Sequence, residues 1–503
     1  MDKVLEEKLN LVKETLKKSY VYRNACAVLQ FDMETICPPK AMEAQGETSA
    51  FLANEGFKLI KSDEFIEAAE YCYDHRNEEG VSYLDRVLTE MLHREYVKIK
   101  NVTPEKNLEW QKISNKAYVK WLEAKGAADF GIFAPVFEEV KKMNIEQVEL
   151  RDEKKATPYD TLLDDYERGI TTEDLDLWFG KCRDRLVSLL AKVQASDKKI
   201  RTDFLFRPLE DHVQEKIARY MLETIGFDFS RGAFTTTEHP FTSGLAKNDI
   251  RVTTHYREDF SSNIFSIVHE GGHALFSQLI PEENYDYFLE DEMTMGMHES
   301  VSRFFENRIG RSRAFISLVY PKLRELAPEA MNDVSEEELY EAVNVAQPSY
   351  IRTEADELTY SLHIIIRYEL EKELMNGNLA VADLPKAWND KYEEYLGIRP
   401  RNDAEGVLQD VHWTWGYGYF PTYALGNMYN AMYFNRMKKE LDVDALIRSG
   451  NFAAINGWMK ENVFAKACYL EPKEWIKEIT GRDMTPDDYL DYLEEKYGSI
   501  YGF

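Results

Sequence analysis

The 503-residue sequence predicts a mainly α-helical protein, and three observations carry that prediction. Apolar residues recur at helical spacing over long stretches; runs of alternating polarity are few; and no Gly/Ser- or Pro-rich linker, low-complexity tract or fixed-period repeat divides the chain. With 44% hydrophobic and 13% aromatic residues, the chain can bury a large core. We therefore expect one continuous domain over residues 1–503, with room for two lobes flanking a groove.

The elements follow in order. The opening "MDKVLEEKLNLVKETLKKSY" is charged throughout and sets Leu5, Leu9, Val12 and Leu16 at helical spacing, so it reads as an amphipathic helix and not a signal peptide. "DIRVTTHY" is the clearest strand: Ile250, Val252 and Thr254 alternate with Arg251 and Thr253, which predicts a small sheet just before the next helix. That helix holds "FSIVHEGGHALFSQ" (265–278), with Ser261 or Ser262 as N-cap and Pro281 as its stop. Mid-helix Gly271 and Gly272 together cost about 2 kcal/mol relative to alanine. The penalty calls for a reason, such as close approach of substrate or of another backbone. "GMHESVSRFFENRIG" (296–310) predicts a second helix, on which Glu299, Ser302, Arg303 and Glu306 form a polar stripe opposite Val301, Phe304 and Phe305. Further on, Leu358, Leu362, Ile365, Ile366 and Leu370 make one apolar helical face, ended by Asn376-Gly377.

Composition excludes several function classes. A net charge of -28 repels phosphate backbones and anionic lipid, which argues against nucleic acid and membrane partners. No run of eighteen apolar residues is present to span a bilayer. The five cysteines are odd in number, scattered and without a CxxC pair, which predicts unpaired thiols and a cytoplasmic location.

The chemistry concentrates around His269 and His273. Four residues apart on a helix, they share one face, and their imidazoles can aim at a single point about 2.0–2.1 Å from each. Glu270 lies about 100° round the helix, beside that point. Two nitrogen ligands and an adjacent carboxylate are what a hydrolytic zinc site needs, together with a third ligand and a position left open for water. Glu299, 26 positions after His273, is our candidate third ligand. Its ordinary alternative is a solvent-facing ion pair with Arg303, worth about 0.2–0.5 kcal/mol. His298 points elsewhere on that helix and is assigned a supporting role. Cobalt or manganese can occupy similar nitrogen and oxygen ligands in place of zinc.

With these residues in view the chain resembles the thermostable carboxypeptidase (carboxypeptidase Taq) metallopeptidases. The resemblance rests on "HEGGHALF" and "HESVSRFFEN", on "HPF" (239–241), "DIRVT" (249–253), "IRTEADELTY" (351–360) and "GVLQDVHW" (406–413) followed by "GYFPTYALGN", and on the opening "FDMETICPPKAMEAQGE". Val301 departs from the Gln common after "HES", and the stretch between Trp413 and Gly418 is one residue shorter than the family's pattern. The resemblance implies a helical, saddle-like fold with a deep groove, a homodimer, and zinc-dependent release of C-terminal residues from peptides with broad specificity. Glu270 is then expected as general base and later acid. His412 and Tyr423 are candidates to donate to the oxyanion, and Arg352 to hold the substrate's terminal carboxylate through paired N–H donors. The competing role for Arg352 is an ion pair with Glu354, Asp356 or Glu357. His239 and Arg251 are expected near the peptide backbone. The alternatives are a zinc oligopeptidase cutting internal bonds and a non-catalytic helical metal-binding scaffold; the intact Glu270 argues against the second.

Overall fold

The structure, a computed structural model, describes residues 2–503. Helices account for 69% of it, with one three-stranded sheet, as the periodicity predicts. The amphipathic opening becomes α1 (Lys3–Thr35), capped by Asp2. Leu5, Leu9, Val12 and Leu16 are buried as expected, in a small separate core shared with α3 (Asp63–Asp74) and α4 (Tyr83–Ile99), while α2 (Met42–Ile60) runs alongside. This N-terminal layer is tied to the main body by polar contacts: Tyr20 donates to the Phe288 carbonyl at 3.2 Å, Arg23 pairs with Glu290 at 2.5 Å and Asp291 at 2.9 Å, and Arg94 pairs with Glu292.

The main core holds α5 (Asp211–Ile225), the sheet, and the helices that carry the site. The sheet comprises β1 (Gly232–Thr236), β2 (Thr242–Ala246) and β3 (Asp249–Thr254) in the order β1-β3-β2. β3 is central, parallel to β1 and antiparallel to β2, with an irregularity between Gly244 and Ala246. Only β3 was readable from alternation; "GAFTT" and "TSGLA" are short, contain glycine and carry few strong strand formers. Ile250 and Val252 are fully buried, and Thr254 donates to Asn263 Oδ1 at 2.9 Å, which fixes the sheet against α6 (Phe260–Leu279).

The N-cap of α6 is Asp259, whose side chain accepts from the Ser261 amide at 2.9 Å, so the helix begins before the serines expected to cap it. α7 (Met295–Arg303) packs across α6, and the glycines explain how closely. A β-carbon on Gly272 would lie 2.8 Å from the Ser302 Cα and 3.0 Å from the Val301 carbonyl oxygen. One on Gly271 would lie 2.6 Å from Ile225 Cδ1 on α5. Another backbone, then, is the reason for Gly272. Gly272→Ala should lower stability by about 1–3 kcal/mol, because overpacking against backbone outweighs the gain in helix propensity of about 1 kcal/mol. An unchanged denaturation midpoint would show that the helices part freely.

α8 (Tyr360–Met375) differs from its amphipathic reading: apart from a partly exposed strip of Glu369, Lys372 and Glu373 it is buried, including Ser361, His363, Arg367 and Glu371. Each of these polar side chains has at least one partner inside. Arg367 pairs with Glu371 at 2.8 Å and lies 3.2 Å over the Trp413 ring, His363 bonds Tyr392 at 2.8 Å, and Ser361 bonds Tyr489 at 2.9 Å. α9 (Pro421–Glu440) presses on the other side of α7, where a β-carbon on Gly426 would lie 3.0 Å from the Glu299 Cγ. All five cysteines are free thiols, and no helix among the described residues is long and apolar enough to cross a membrane.

Candidate metal centre

α6 and α7 bring three side chains to one point. His269 Nε2 lies 3.7 Å and His273 Nε2 3.6 Å from Glu299 Oε2, and all three atoms fall within 4.8 Å of one another. Two atoms each about 2.1 Å from a shared tetrahedral centre would stand about 3.4 Å apart, so the trio fits a divalent ion with small adjustments. The donor set of two imidazole nitrogens and one carboxylate suits a divalent metal ion.

The surroundings orient each member. His269 Nδ1 is 2.9 Å from Glu306 Oε2, so the tautomer that donates there leaves Nε2 free. His273 Nδ1 is 2.6 Å from His298 Nδ1, and a proton on the His273 nitrogen likewise leaves its Nε2 free. His298 therefore touches a candidate ligand from behind. The Glu299–Arg303 ion pair exists, at 2.8 Å, but is buried and uses only Oε1; Oε2 remains turned toward the histidines. The polar stripe of α7 thus faces the centre and not solvent.

Electrostatics follow from burial. Burial lowers the basicity of His269, but Glu299, Glu306 and Glu270 outweigh it and leave its pKa raised. His273 is pulled well down by burial and by His298. Burial raises the pKa of Glu270, opposed by His269 and by the Thr242 hydroxyl, which donates to Oε2 at 2.6 Å.

A cavity of about 500 Å³ opens over this cluster, and Glu270, Thr242, Tyr423, Tyr419 and Arg23 line it beside the three candidate ligands. The remaining candidates from the sequence lie at varying distances from it. His412 is one layer behind, with Nε2 3.4 Å from the Tyr423 hydroxyl, and burial pulls its pKa down to about 3, so it is neutral near pH 7. Arg352 is 7% exposed and lies outside the cavity wall. Its Nη2 and Nε donate to Asp410 Oδ1 at 2.8 and 3.1 Å, and its Nη1 to the Tyr360 hydroxyl at 3.3 Å. The ion pair therefore forms with Asp410, in place of Glu354, Asp356 or Glu357. The Arg352 guanidinium also sits 5.0 Å from the Tyr423 ring centroid. Arg251 is held by Asp249 at 2.9 Å and lies 5.1 Å over the Phe31 ring, lining a different cavity. His239 is exposed; its neighbours Pro240 and Phe241 reach the metal cavity, but it does not.

Thr242, Tyr419 and Arg23 were not singled out from the sequence, and Glu306 was read only as part of the polar stripe. Glu306 carried a usable signal, since it continues the stripe one turn past Arg303. Thr242 and Arg23 reach the cavity from a strand and a helix remote in the chain, which local spacing does not reveal.

A helical frame, a two-helix His-His-Glu cluster and a carboxylate beside it define the metallopeptidase class. Residues 11–497 match the model of the "Carboxypeptidase Taq (M32) metallopeptidase" family, and the chain belongs to that family. It is 38% identical to "Carboxypeptidase 1" of Bacillus subtilis over 97% of each chain, and 33% identical to "Thermostable carboxypeptidase 1" of Thermus thermophilus over 95% of each. The solved M32 carboxypeptidase from Deinococcus radiodurans R1 superposes with a TM-score of 0.94 at 32% identity, covering 100% of both chains. The chain is thus a metallocarboxypeptidase.

Proposed function

We propose that this protein holds zinc on His269, His273 and Glu299 and releases C-terminal amino acids from peptides with broad specificity, with Glu270 as general base. The convergence of His269, His273 and Glu299 beside Glu270, in one cavity, is the observation that carries this reading. When bound, the ion supplies Lewis acidity, polarising the scissile carbonyl and making water easier to deprotonate.

The protein's own groups do the rest. Thr242 pins Glu270 Oε2, so Oε1 is the oxygen directed to take a proton and later to pass it to the departing amine. The raised pKa of Glu270 improves it as a base. Tyr423 is the proposed donor to the developing oxyanion, with neutral His412 behind it in the tautomer whose Nε2–H donates to the phenol oxygen and leaves the hydroxyl proton for the oxyanion. Arg352 is retained as the proposed partner of the substrate carboxylate on the strength of its place beside Tyr423, although Asp410 now occupies one edge of its fork. For His239 and Arg251 the support is weaker, since neither side chain lines the cavity. We further infer a cytoplasmic homodimer, supported by the unpaired thiols and by the resemblance of the sequence to its family.

Metal analysis of the purified protein, combined with sequential product detection on one unblocked peptide with and without chelator, tests this function. Stepwise loss of C-terminal residues that stops on chelation is expected. Equal cleavage of the C-terminally amidated peptide would replace the exopeptidase reading with an oligopeptidase. Glu306→Gln should weaken metal affinity by about 10–100-fold, because it takes the charged acceptor from His269 Nδ1. Competition with a metallochromic chelator measures it, and unchanged affinity would remove Glu306 from the centre.

A further inference from the structure

A second cavity, of about 770 Å³, shares no lining residue with the metal cavity. Its deep wall is cationic in a chain of net charge -28. Arg308 and Lys496 are 3% and 8% exposed there, Arg311 stands beside them, and Lys438 and Lys439 reach in from the last turn of α9. Two of these charges are already engaged. Lys496 pairs with Glu357 at 2.6 Å, and Arg311 donates to the Val343 carbonyl and to Glu306.

Arg308 is different. It donates to Asn430 Oδ1 at 2.8 Å and to the Asn427 carbonyl at 3.4 Å, both neutral, and lies 3.7 Å over the Tyr492 ring. Its Nη1 has no partner, and no carboxylate lies within 4.0 Å of it among the described residues. A buried guanidinium without a counter-charge is strongly unfavourable, so such a site is incomplete without an anion. Lys438 is close by and also lacks an ion pair among the described residues. Burial and then Arg308 lower its pKa, and Glu495, Asp444 and Asp488 do not restore it.

We propose that this cavity binds a small phosphate-bearing anion, received by the Arg308 guanidinium with Lys438 as the second charge. Guanidinium matches phosphate oxygens through paired N–H donors. The volume falls in the range of roughly 300–1,000 Å³ typical of small-molecule sites, more than a monatomic ion needs. Tyr340, Phe434 and Tyr492 add aromatic surface to the lining, against which an organic portion could pack. Glu440, Asp442, Asp444 and Glu495 line the cavity's exposed part, where they repel extended polyanions and restrict the site to a small molecule.

Calorimetric titration of the metal-loaded protein at constant ionic strength tests this, with inorganic phosphate and adenosine monophosphate as probes. Saturable binding of either is expected; a preference for the nucleotide would assign the aromatic wall to its base. Lys438→Glu, on an exposed helix end, should weaken binding by about tenfold or more, the effect of losing one charge-assisted contact. Arg308→Met should abolish it. His269→Ala should leave it unchanged, which separates this site from phosphate held at the metal. The proposal is overturned if neither probe saturates by roughly 10 mM, if Lys438→Glu binds as the parent does, or if His269→Ala removes the binding. Should Arg308→Met fail to fold, the Lys438 and His269 variants still decide.

Discussion

Glu270→Gln should keep its metal and lose about 10²–10⁴-fold in kcat, the range for removing a positioned general base. The substitution is nearly isosteric. Thr242 can still donate to the side-chain oxygen, the α6 backbone is unaltered, and none of His269, His273 and Glu299 is touched. What disappears is the basic oxygen that burial strengthens. Metal content and single-peptide turnover, measured on the same preparation, check both halves. Parent-level turnover with metal bound would remove Glu270 from the chemistry.

Arg352→Ala should destabilise the protein by about 3–5 kcal/mol, because it leaves a buried carboxylate uncompensated. Asp410 is 6% exposed, and its pKa is held down at about 2 as burial is outweighed by Arg352 and then His412. In the fraction that folds, discrimination between free and amidated peptides should vanish if the guanidinium also receives the substrate carboxylate. The paired change Arg352→Met with Asp410→Leu separates the two roles: it should recover stability without recovering discrimination, since it removes both buried charges together. Denaturant midpoints and relative kcat/KM on the two peptides are the measurements. An undiminished midpoint in the single variant would sink the ion-pair account, and an unchanged peptide preference would sink the carboxylate role.

Much of the frame was legible in advance because it depends on neighbours along the chain. The 3.6-residue repeat of Leu5, Leu9, Val12 and Leu16 places one stripe inward whatever surrounds it, and all four are buried. The same periodicity puts His269 and His273 on one face of α6. Even the mid-helix glycine pair announced a close approach, which proved to be the Ser302 backbone at Gly272 and the Ile225 side chain at Gly271. Where local spacing misled, distant partners were the cause. Glu299 and Arg303 have the spacing of an exposed ion pair, yet α6 and α9 cover them. Arg352 had acidic neighbours within five positions, but it pairs with Asp410, 58 residues on.

The chain's local order thus specifies the helices, the spacing of the two imidazoles and the carboxylate next to them. These follow from covalent geometry and the fixed rise of a helix. Folding in three dimensions settles which oxygen of Glu299 faces the histidines, which hydroxyl holds Glu270, and which buried arginine is left without a counter-charge. Those outcomes depend on contacts between segments far apart in the chain, and there burial, not spacing, determines which charges must find a partner.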